Sequence, residues 1–116
     1  SAYSSEELAE SSAAQAQKAA TLSPNNLLVL RRVANTYFLL AQTDKKYERL
    51  ALATAQRLTQ LAPTDPQSYL SLAKIQAGLD RIDDARKSLE KALELKPDYL
   101  EAADLIIQIE SQPVDN

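Results

Sequence analysis

A chain of 116 residues is long enough to bury one core and too short for two. Thirteen Lys and Arg against sixteen Asp and Glu leave a net charge of −3, without the basic stripe that a nucleic-acid partner needs. The lack of any Cys or His excludes disulfides, thiolate zinc sites and Ser–His–Asp catalysis.

One Gly, five Pro and an abundance of Ala and Leu leave little for β-turns and favour helices throughout. The first helix opens at Ser4-Ser5-Glu6-Glu7, where Ser4 and Glu7 have capping-box spacing, and runs to about Thr21. Its narrow face is Leu8, Ala9, Ser12, Ala13, Ala16, Ala19 and Ala20. Leu22-Ser23-Pro24-Asn25-Asn26 breaks it, and Asn25 or Asn26 caps a second helix reaching about Gln42. Thr43-Asp44 makes the next turn, and the helix that follows offers Ala51, Ala55 and Leu58 to the core.

Pro63-Thr64-Asp65-Pro66 is another turn, with Pro66 suited to the first helical position. From there Tyr69, Leu72 and Ala73 lie at helical spacing, a break falls between Gly78 and Arg81, and Ala85, Leu89, Ala92 and Leu95 form one stripe. A last helix, about Tyr99 to Ser111, is expected to pack through Leu100, Ala103, Ile106 and Ile107, while Glu101, Asp104, Gln108 and Glu110 stay in water. Leu105 to Ile107 with Ile109 make it apolar on more than one side.

Tyr69, Leu72, Ala73, Ala85, Leu89, Ala92 and Pro97, read in order, resemble one complete tetratricopeptide repeat. Leu30, Val33, Ala34 and Tyr37 take the same places as Tyr69, Leu72, Ala73 and Gln76 when counted from the preceding proline. KAATLSP at 18–24 has the shape of KALELKP at 91–97, so the first helix is similar to the second half of a repeat. The resemblance implies an all-α fold, a right-handed superhelical solenoid of about six helices in antiparallel hairpins. It divides into a half repeat (5–21), a repeat (25–63), a complete repeat (64–97), a closing helix (98–111) and a tail (112–116). Pro63 and Pro97 are 34 residues apart but Pro24 and Pro63 are 39, so the first repeat carries five inserted residues near 42–48.

The resemblance also implies a non-catalytic scaffold for protein–protein interaction, with a peptide or protein segment as partner. The binding surface would be the inner face of each first helix: Leu28, Arg31, Asn35, Phe38 and Leu39, then Gln67, Leu70, Lys74 and Gly78, then Glu101, Asp104 and Gln108. Arg31 and Asn35 are one turn apart, suited to a carboxylate and a peptide amide respectively. They match the first two positions of the carboxylate clamp by which some family members hold chaperone C-termini. Ser71, Glu101 and Leu105 depart from the rest of that pattern.

No catalytic residues, metal ligands or cofactors are expected. The neighbouring acids Glu6-Glu7 and Asp83-Asp84 open helices, where they favour the dipole, and Asp44 and Asp80 lack the alternating oxygens of a calcium loop. No apolar run approaches the roughly 18 residues that span a bilayer. The opening SAYSSEEL has neither the basic start nor the apolar core of a signal peptide, and a start without Met fits a piece of a longer chain. LSPNN, LAQTDKKY, LAPTDP and LELKPDY in that order are similar to the tetratricopeptide tails of bacterial membrane proteins related to O-antigen ligases and polymerases. That likeness implies, as the alternative to a cytoplasmic adaptor, an extracytoplasmic structural or oligomerisation domain of an anchored protein, self-associating through its terminal helix.

Overall fold

A computed structural model describes residues 3–111. Six α-helices follow in order: α1 (Ser5–Leu22), α2 (Leu27–Ala41), α3 (Glu48–Leu61), α4 (Pro66–Gly78), α5 (Ile82–Leu95) and α6 (Leu100–Glu110). A 3₁₀ turn, Lys45–Tyr47, precedes α3. The described residues contain no strand, and each helix packs chiefly on its neighbours in sequence.

Four starts are fixed by side chains that satisfy otherwise unpaired amides. Ser4 Oγ accepts from the Glu7 N–H at 3.1 Å, and its hydroxyl donates to the Glu7 carboxylate at 3.1 Å. Asn26 Oδ1 accepts from the Val29 N–H at 3.1 Å, so Asn26 and not Asn25 is the cap of α2. Asp44 Oδ1 caps the 3₁₀ turn through the Lys46 N–H, and Asp65 Oδ1 caps α4 through the Gln67 N–H, with Pro66 at the first helical position.

The turn between α4 and α5 departs from expectation. Asp80 has φ 62° and is the left-handed residue, with Arg81 N–H bonded to Gln76 O at 2.8 Å and Asp80 N–H to Ala77 O at 3.2 Å. That pair of bonds is the usual helix stop in which glycine normally takes the left-handed place. The chain's one glycine stands two residues earlier for a different reason: a Cβ at Gly78 would collide with the Phe38 ring. Gly78 therefore lets α2 and α4 come together.

The core is built from the equivalent places of each hairpin. Leu30, Val33, Ala34 and Tyr37 are buried on α2, as are Leu72, Ala73 and Gln76 on α4. Opposite them, Ala51, Ala55 and Leu58 on α3 and Ala85, Leu89 and Ala92 on α5 are fully covered. Alanines at the crossings let backbones approach closely, and the larger partners fill the remaining space at near-crystalline density. Two clusters result, one between α1 and α4 and one between α4 and α6.

Of the inserted stretch, residues 42–46 are exposed and Tyr47 joins the first cluster. Tyr47 is buried and stacks on Tyr37, with ring centroids 6.5 Å apart and planes 14° from parallel. Only Ala16 of α1 is fully buried; Leu8 and Ser12, expected on its packing face, are exposed. On α6 the packing phase differs from the expected one. Ala102 and Ile109 are buried and Leu105 and Ile106 partly so, whereas Leu100 is 75% and Ile107 62% exposed. The stripe 102, 105, 106, 109 is one helical face turned toward α4 and α5; the face of Leu100, Ala103 and Ile107 is the one a second hairpin helix would cover.

Candidate functional site

The first helices α2, α4 and α6 lie side by side, which puts their inner faces on one surface. Leu28 and Asn35 of α2, Gln67 and Lys74 of α4, and Glu101, Asp104 and Gln108 of α6 are all exposed. Lys74 Nζ bridges to Glu101 Oε2 at 3.1 Å across the two helices. Both groups are more than half exposed, so the pair contributes well under about 1 kcal/mol. Its consequence is electrostatic: Glu101 offsets the charge that Lys74 brings to this surface.

Two expected groove residues pack against the core. Leu70 is 2% exposed because α6 lies over it, in the same cluster as Ala102 and Ile109. Phe38 is partly buried against the first cluster, and its ring lies over the exposed Gly78. Leu39, by contrast, is exposed on α2.

Arg31 is half-buried, and its Nε is buried without a hydrogen-bond partner. No carboxylate among the described residues lies within salt-bridge distance of it. A desolvated guanidinium N–H with no acceptor is a cost that a bound carboxylate would relieve. Tyr99, just before α6, and Asp65, the cap of α4, share this end of the surface. Burial chiefly, then the charges of Glu101 and Asp65, raise the Tyr99 hydroxyl above its usual 10.0, while Arg31 pulls it down. Sequence reading passed over Asp65 and Tyr99 at this site because both sit in turns, and only the stacking of hairpins brings three successive turns and helix starts together.

Elsewhere the chemistry is sparse. Among the described residues no cluster of three or more acidic side chains could hold a metal ion, and no helix is long and apolar enough to cross a membrane.

The described geometry has relatives. The tetratricopeptide repeat family model matches residues 66–99. Among solved structures, the first tetratricopeptide repeat domain of Spaghetti (RPAP3) bound to the HSP90 peptide SRMEEVD is similar in fold, with a TM-score of 0.66 and 23% identity over 82% of this chain and 71% of that one. No curated protein matches the chain. Residues 66–99 form a tetratricopeptide repeat, and the six-helix array around them is an all-α, tetratricopeptide-like helical repeat fold.

Proposed function

We propose that the protein is a non-catalytic interaction scaffold that holds an extended segment of another protein across α2, α4 and α6. The observation that carries this reading is Arg31, whose buried Nε lacks a partner while Asn35 stands exposed one turn further along. A carboxylate of the ligand takes the Arg31 guanidinium and a backbone amide takes Asn35. Leu28 and Leu39 add apolar contact beside them, and Gln67 adds a further hydrogen-bonding group.

The similar repeat domain of Spaghetti was solved with an HSP90 peptide, SRMEEVD, which lends support to a peptide ligand. The charge pattern here selects a different one. Glu101 opposes Lys74, and Asp104 stands exposed beyond it. A run of acids would meet like charge at α6, so the preferred segment has one acid for Arg31 and a neutral or basic residue for Asp104.

Fluorescence anisotropy against pooled peptides of varied charge tests this. Losing a charge-assisted hydrogen bond worth about 1.5–3 kcal/mol means that Arg31→Ala weakens the best binder roughly tenfold to hundredfold. SRMEEVD binds more weakly than a peptide with a single acid. Equal binding to wild type and Arg31→Ala, or no binding from any pool, would overturn the proposal.

A further inference from the structure

The two ends of the array are each open, and their open faces are complements. Among the described residues α1 has the place of a hairpin's second helix with no first helix before it, and α6 that of a first helix with no second after it. Counting from Pro24, Pro63 and Pro97 puts Ser12, Gln15, Ala16 and Ala19 of α1 in the places of Ala85, Ser88, Leu89 and Ala92 of α5. Those α5 residues are buried beneath α4, but Ser12 and Gln15 are exposed.

Beside them on α2, Val29, Arg32, Val33 and Thr36 hold the places by which α4 (Ser68, Ser71, Leu72, Ile75) packs on the preceding repeat. Together the α1 and α2 residues line one open trough of about 340 Å³. A first helix fills the equivalent space on α3 and on α5, so the trough has the shape of a third such seat.

We propose that this trough receives α6 of a second copy, so that chains associate head to tail and each junction completes a repeat. Within one chain, Ala73 of α4 and Leu89 of α5 are fully buried in one cluster. At the junction Ile107 stands for Ala73 and Ala16 for Leu89, so bulk is exchanged across the seam and the pair's volume is kept. Ser88 Oγ donates to Gln76 Oε1 at 2.7 Å inside the chain. At the junction Gln15 and Glu110 take those places, an amide donor facing a carboxylate that Arg86 approaches at 3.9 Å. Asp104 replaces Leu70, and the α2 residue in the place of Leu105 is Arg32, which puts an acid opposite a base. Ile107, exposed on the open face of α6, is thereby covered.

A heterologous contact of this kind does not close on itself and builds open chains. One helix in a trough buries less than a standard interface of about 1,600 Å², so association belongs between about 10 μM and 1 mM.

Sedimentation equilibrium over that range tests it with two variants at exposed positions, Ser12→Arg in the trough and Ile107→Lys on α6. The wild-type weight-average mass rises beyond twice the monomer mass without a plateau. Each variant alone stays monomeric, and an equimolar mixture forms dimers and nothing larger, because one chain keeps its trough and the other its α6 face. Wild type that remains monomeric throughout, Ser12→Arg that still associates, or a mixture that does not pair would each overturn the proposal. Ser12→Arg touches no residue of the peptide surface, so its effect on association is read separately from peptide binding to Arg31, which lies outside the trough.

Discussion

The two complete hairpins share a backbone plan and lock it differently. In the α4–α5 hairpin the turn is tight, with Asp80 in the left-handed conformation, and the buried Gln76 carbonyl accepts from Ser88 at 2.7 Å. In the α2–α3 hairpin the place of Gln76 is held by Tyr37, the repeat is five residues longer, and a ring from the inserted turn, Tyr47, stacks on it. A short turn leaves room at the top of the hairpin for one hydrogen bond. A longer one brings its own side chain to fill the larger gap. What distinguishes the hairpins is therefore the turn, and the core adapts to it.

Removing the aromatic lock is the largest way to break that comparison. Tyr47→Ala empties a buried aromatic site and is expected to cost about 3–5 kcal/mol, read as a fall in the urea midpoint. The polar lock is weaker. Ser88→Ala strands the Gln76 carbonyl and is expected to cost about 1–3 kcal/mol, and adding Gln76→Leu recovers most of it because both polar partners are then gone. If Ser88→Ala cost as much as Tyr47→Ala, the second hairpin would depend on its hydrogen bond as heavily as the first does on its ring.

The smallest effect is a titration. Burial first, and Tyr47 second, raise the Tyr37 phenol above 10.0. A raised folded-state value means that the stability linked to Tyr37 is whole below pH 10.0 and is lost as pH climbs through the folded value. Tyr47→Phe lowers the Tyr37 midpoint in an ultraviolet titration yet leaves it above 10.0, since burial is the larger cause. A midpoint unchanged by Tyr47→Phe would remove Tyr47 from the account.

The sequence by itself determined the helices, their hairpin pairing and most of the core. Proline-counted positions such as Val33, Leu72, Ala55 and Leu89 are periodic along a helix, and periodic apolar spacing is a local property that folding preserves. Asp44 and Asp65 cap through amides only two residues away, so their part too was written locally.

Only the tertiary structure decided which way each face points and what lies across from it. Gly78 reads as a turn glycine until the Phe38 ring is placed over it from another helix. Leu70 reads as groove until α6 covers it, and Lys74 reads as a free base until Glu101, 27 residues away, reaches it. The α6 residues 102, 105, 106 and 109 were chosen for the core over the equally apolar 100, 103 and 107 because, among the described residues, α6 has neighbours on one side only. Composition and spacing carry no record of which side is occupied; that is set when the hairpins stack.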